Sequence, residues 1–197
     1  TLGTEFSQNL LADESSWSLA LSSNDLDGLP DFLIDTLKKN AAERGIDGYL
    51  IILNRTTVVP FLQFSKHRHL RKKVYLAWIS RGNNNNETNN LEIISKTLTL
   101  RKERSSLLGY NNFSHFKLET EMAQNSKNVK ELLMSVWEPA RRRAKSDKLE
   151  LQKLLSKDAI KDELRAWDWR YYAEKRRIQN YSINEVEIKS YLQLNKM

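Results

Sequence analysis

Between Val129 and Ala144, apolar residues fall at Val129, Leu133, Val136, Ala140 and Ala144, a spacing that lines one face of an α-helix and cannot serve a strand. The pattern opens after Asn125-Ser126, where Ser126 is placed to cap the free N–H groups of the first turn. Pro139 lies inside it. A proline there gives up the hydrogen bond to residue 135 and crowds that carbonyl, so the spacing predicts a kink near 137–139, or two helices meeting there. Leu151, Leu154 and Leu155 carry the pattern on toward a looser stretch near 156–165.

Most of the remaining chain repeats at the same period. LGTEFSQNLLAD reads as the final turns of a helix. Pro30 suits a helix start, Leu33, Leu37 and Ala41 share a face, and Gly45 supplies a stop, which predicts a helix over 30–44. From Ser65 onward Leu70, Val74, Ala77 and Trp78 form a stripe with Arg68 and Lys72 opposite, ending near Arg81-Gly82. Asn83 to Asn90, NNNNETNN, is a polar loop, because Asn competes for its own backbone. A further helix over 91–108 stops at Gly109, so the loop is expected to be the mobile tip of a helical hairpin. A shorter helix is expected over 112–122.

Two short runs break the helical pattern. Trp17, Leu19 and Leu21 alternate with Ser18, Ala20 and Ser22, and Tyr49 to Leu53 is a β-rich run after the turn Asp47-Gly48. The fold class is therefore mainly α, a multi-helix bundle-like array with at most one small two-stranded sheet.

WDWRYYAEKRR, Trp167 to Arg177, is the densest aromatic and charged stretch. Asp168 is placed to cap a helix starting at Trp169, and Ser182 with Glu185 forms a capping box for a last helix. Both chain ends, Thr1 and the helical pattern of YLQLNKM, read as cut edges of a longer protein.

The chemistry-bearing residues form no reaction centre. The chain has no Cys, which excludes thiolate metal sites and cysteine nucleophiles and suits a reducing, cytoplasmic compartment. His67 and His69 are two apart, about 200° around a helix, and so are poorly placed to share a metal; they read as a surface pair among Lys66, Arg68, Arg71, Lys72 and Lys73. His115 lies between Phe113 and Phe116 on a short helix and reads as a packed or half-exposed side chain. No Gly-rich phosphate loop or nucleophile elbow is present. Catalytic, cofactor-binding and metal residues are therefore all expected to be none.

The net charge is +7, with 32 basic residues mixed among 25 acidic ones. Three basic clusters, from Lys66, Arg141 and Lys175, could each meet phosphate. The third has Trp169, Tyr171 and Tyr172 beside it as stacking faces, although those rings serve equally well to anchor a helix to a core. Acidic residues interrupt every basic face, so neither nucleic acid nor membrane is the expected partner.

Taken in order, LGTEFSQNLLAD, DLDGLPDFL, AWISRG, RKERSSLLGY, FKLETEMA, VWEPARRRA and WDWRYYAEKRR resemble the thimet oligopeptidase, oligopeptidase A and peptidyl-dipeptidase family of zinc metallopeptidases. The likeness is closest to peptidyl-dipeptidases, where an Asn/Gly-rich loop also follows an S-R-G ending. The resemblance implies a two-lobed helical enzyme that hydrolyses short peptides in a deep channel. Its zinc is held by an H-E-x-x-H helix and a later Glu, a motif absent here. Residues 1–197 are then an internal, channel-forming region upstream of that motif. Such a piece is expected to be inactive alone, to bind no zinc, and to be able to self-associate through an exposed interlobe face. The alternative is a self-standing basic helical module that binds nucleic acid or a protein partner.

Overall fold

The structure, a computed structural model, describes residues 1–181. Their elements are α1 (Leu2–Ser16), β1 (Ser18–Leu21), a 3-10 turn (Ser23–Asp25), α2 (Asp31–Glu43), β2 (Tyr49–Ile52), α3 (Arg55–Phe64), α4 (Arg68–Ile79), α5 (Leu91–Leu107), α6 (Phe113–Leu118), α7 (Ser126–Lys157) and α8 (Ala166–Tyr181). The fold is mainly α with one two-stranded sheet. The proposed Ser182–Glu185 capping box lies outside the described residues. Two compact units are present: Thr1–Ser16 with Ser80–Asp147, and Trp17–Ile79 with the chain from Lys148 onward.

The second unit holds the apolar core. β1 and β2 pair antiparallel, Leu19 opposite Ile51 and Leu21 opposite Tyr49, and the alternation foreseen in β1 buries Leu19 and Leu21 while Ser18 and Ala20 face out. On α2, Leu33, Leu37 and Ala41 point inward as their spacing requires, and Gly45 ends the helix at φ +65°. Burying side chains such as Leu33 and Leu37 completely contributes about 1.5–3 kcal/mol each. Gly28 is needed for space: at φ +86° a Cβ would stand 2.6 Å from the Phe64 carbonyl, where the chain after α3 returns and Lys66 N–H bonds the Asp27 carbonyl. A second cluster joins Leu151, Leu154 and Leu155 of α7 to Leu164 and Tyr172.

One helix was not foreseen. α3 contains the β-branched run Thr56 to Val59 and Pro60, all of which lower helix propensity. Packing overrides propensity here, because Val58, Phe61 and Leu62 are buried in the core, and Asn54 accepts the Thr57 N–H at 2.8 Å as the cap.

The first unit is organised differently. α1 and α6 both pack on α5, and Ile93 is its only buried apolar side chain. α6 ends at Leu118, four residues short of the expected Met122, and the chain turns through Gln124 at φ 60°. Asn125, rather than Ser126, caps α7 by accepting the Asn128 N–H at 2.9 Å. α7 is one helix from Ser126 to Lys157 with Pro139 inside it, so two separate helices do not meet there. Before Asp147 its apolar stripe is largely exposed, with Leu133, Val136 and Trp137 all more than half accessible.

Candidate functional site

The two places where polar chemistry is concentrated are both built on a buried aspartate. In the second unit this is Asp168, which lies within the first turn of α8 and is completely buried. It does not cap a helix starting at Trp169, because α8 begins at Ala166; instead its Oδ2 reaches back to accept the Arg165 N–H at 3.1 Å. Arg68 donates through Nε to both carboxylate oxygens at 3.1 Å and through Nη2 to Oδ2 at 2.9 Å. Arg71 donates through Nη2 to Oδ1 at 2.9 Å.

Arg71 corrects the reading of the Lys66 cluster as surface. Its side chain is 1% exposed, it donates to the carbonyls of Ser65, Lys66 and Trp167, and its guanidinium lies 4.2 Å from the Tyr171 ring centroid. Arg68, expected opposite the apolar stripe, is likewise turned into the protein and also binds Asp162 at 2.8 Å. Its hydrogen bonds to Asp168 raise the Arg68 pKa further above its ordinary value, and Arg68 in turn holds the Asp162 carboxyl below the usual range. A buried guanidinium–carboxylate set of this kind needs every donor satisfied, since an unpaired charge there costs several kcal/mol.

The WDWRYYAEKRR stretch is spent on the same packing. Tyr172 is buried and donates its hydroxyl to Asp158 at 3.1 Å; burial first, and then the Asp158 charge, push that phenol well above its ordinary range. Tyr171 meets Tyr172 edge to face, and Trp167 meets Tyr75 in the same way, while Trp169 stays 37% exposed. Lys175 pairs with Asp158, Arg176 with Glu150 and Arg177 with Glu174. Each cation of the best phosphate-binding candidate thus has a carboxylate beside it. In the Arg141 cluster, Arg143 pairs with Asp147.

In the first unit the aspartate is Asp13, 4% exposed at the end of α1. It accepts the Gly82 N–H at 2.7 Å, Asn84 Nδ2 at 2.8 Å, Asn86 Nδ2 at 3.4 Å and Thr88 Oγ1 at 2.5 Å. Burial raises its pKa, but the bonds from Thr88, Gly82, Asn86 and Asn84 outweigh that and leave it below the ordinary value. Gly82 at φ +69° leaves no room for a Cβ beside Asn90 and Leu10. Asn90 is buried, accepting from Asn9 and donating to the Phe6 carbonyl. The Asn-rich segment is therefore a loop wrapped on a carboxylate and not the free tip expected from its composition. Alternation of Asn84, Asn86 and Thr88 was the available signal, but nothing in the sequence ties it to Asp13.

The histidines are placed differently from the helical-wheel reading. His67 precedes α4, so helical angles do not apply to it, and its ring meets that of His69 edge to face at 5.9 Å. His67 Nε2 is buried with no hydrogen-bond partner among the described residues, whereas His69 and His115 are exposed.

The family model for peptidase family M3 matches residues 61–197. The chain belongs to peptidase family M3. Over 201 residues it is 29% identical to oligopeptidase A of Haemophilus influenzae, covering 100% of this chain and 30% of that protein. It is 28% identical over 197 residues to dipeptidyl carboxypeptidase of Escherichia coli, covering 99% of this chain and 29% of the relative. The probable cytosolic oligopeptidase A of Arabidopsis thaliana is 30% identical over 210 residues, with 100% and 29% covered. The chain thus spans about 30% of the length of these M3 relatives.

The zinc that this family implies does not fit the described residues. No group of three or more His, Cys, Asp or Glu is arranged to hold a metal there. The unpartnered His67 Nε2 has one imidazole beside it, and a zinc site needs three or four ligands. Asp168 and Asp13 have their lone pairs filled by protein donors. No described helix of this M3 chain is long and apolar enough to cross a membrane.

Proposed function

We propose that these 197 residues are the helical, channel-forming region of a longer M3 zinc metallopeptidase of the peptidyl-dipeptidase type, acting on short peptides in the cytoplasm. The carrying observation is the pairing of coverages: nearly the whole chain aligns with under a third of oligopeptidase A and of dipeptidyl carboxypeptidase. On this reading the zinc and the residues that activate water lie in polypeptide outside this chain. The region contributes one wall of the channel, whose width excludes folded proteins. Two buried aspartates that fix helices and a loop, their carboxylates taken up by protein donors, suit that role.

The region alone is proposed to be inactive, to bind neither nucleic acid nor membrane, and to be prone to self-association through apolar faces that a second lobe would cover. The test is expression of the longer reading frame and assay on unblocked and C-terminally amidated peptides. Zinc-dependent release of C-terminal dipeptides is the expected result. Internal cleavage with no dipeptide release would move the assignment to the oligopeptidase A type. Hydrolysis or stoichiometric zinc with the 197-residue chain alone would overturn the proposal.

A further inference from the structure

α1, α5 and α6 leave an open apolar groove of about 800 Å³ in the first unit. Leu2 and Phe6 line one side, Ile94 and Leu98 the other, and Phe113 the end. Ile94 and Leu98 are 42% and 58% exposed, unusual for side chains aligned on one helical face. Beyond them stand Arg101 and Arg104. Arg101 lies 5.2 Å from the Phe113 ring centroid and Arg104 5.0 Å from that of Phe116. Neither has a carboxylate within ion-pair distance among the described residues, in contrast to Arg68, Arg71, Arg143, Arg176 and Arg177.

The stripe from Ile93 to Arg104 follows the axis of α5 for three turns, about 16 Å, which is the footprint of another helix laid alongside rather than of a compact small molecule. The two guanidiniums are one turn apart and their side chains are held by ring faces, so they present a fixed pair of charges at the end of an apolar track. We propose that this groove docks one amphipathic helix, with apolar residues at i, i+4 and i+7 followed by two carboxylates one turn apart that meet Arg101 and Arg104. Its source is a part of the same polypeptide outside this chain, and the inference thus rests on the reading of the chain as a region of a longer M3 peptidase.

The test uses overlapping 20-residue peptides spanning Haemophilus influenzae oligopeptidase A, labelled and titrated against the 197-residue chain by fluorescence anisotropy. At least one peptide with the stated pattern is expected to bind, and the double substitution Arg101→Glu, Arg104→Glu should weaken it tenfold or more. Circular dichroism unchanged by the substitution shows that the fold is kept, and Lys130→Glu on α7 should leave binding intact. No binding by any peptide, or binding indifferent to the double substitution, overturns the inference. Concentration-dependent dimerisation that is abolished by the double substitution and that no peptide displaces overturns it in favour of a second copy, and binding to phosphatidylserine vesicles abolished by the double substitution and displaced by no peptide overturns it in favour of a lipid surface. Peptide binding is read independently of hydrolysis, so loss of the peptidase reading through an inactive longer protein remains distinguishable from failure of the groove.

Discussion

The two units of the chain solve the problem of holding helices together in opposite ways. In Trp17–Ile79 with the chain from Lys148, apolar side chains from three helices and both strands meet in one cluster, and a second cluster joins α7 to α8. In Thr1–Ser16 with Ser80–Asp147, a carboxylate and an asparagine gather the loop, Ile93 is the sole buried apolar side chain, and Leu98, Leu107, Leu133 and Trp137 face outward. Buried area is the main favourable term in folding, so the first unit has little of its own to set against the entropy of ordering its chain. The difference teaches that amphipathic spacing specifies a helix, while the surface that covers its apolar face can lie elsewhere.

The largest effect is expected at Asp168. Asp168→Ala leaves Arg71 buried without its carboxylate, and should cost the second unit about 4 kcal/mol in urea unfolding. A loss below about 1 kcal/mol would mean that the arginines find water, and that this unit is less closed than its burial states. Next comes Leu155→Ala, which should cost about 3 kcal/mol by opening a cavity in the second cluster.

Asp13→Ala is expected to cost about 1–3 kcal/mol, with the effect confined to the first unit, because it strands the Gly82 N–H and the side chains of Asn84 and Thr88. Hydrogen exchange over 82–90 is the measurement. The pH dependence follows from the depressed pKa of Asp13. A carboxyl held below its unfolded value contributes stability that is complete above the ordinary carboxylate range and is lost as pH falls through the lower folded value. The protection factors over 82–90, which take out the intrinsic pH dependence of amide exchange, should therefore be flat from neutral pH down to about 4 and fall below it. The smallest effect belongs to Leu133→Ser, expected within about 0.5 kcal/mol in this chain, since that side chain is 61% exposed. A large loss there would erase the contrast between the units.

The sequence made much of this legible and left the rest hidden for identifiable reasons. The pairing of β1 with β2 and the inward face of α2 followed from period and turn residues alone. α3 was missed because β-branching and proline speak locally against a helix that Val58 and Phe61 stabilise through distant contacts. The burial of Arg71 was missed because its partner lies 97 positions away, and a run of cations reads as surface until the carboxylate is seen. The ring pair of His67 and His69 was separated on a helical wheel that begins one residue too early. For the candidate site, the packing role of Tyr172 was foreseen in competition with base stacking, whereas Asp13 offered no local cue.

Hydrogen–deuterium exchange of the 197-residue chain, resolved along the sequence, tests the contrast between the units most directly. Slow exchange is predicted across 49–79 and 148–177, with fast exchange across 91–118 and 126–147. Equal protection of both sets would contradict the claim that the first unit lacks an apolar core of its own.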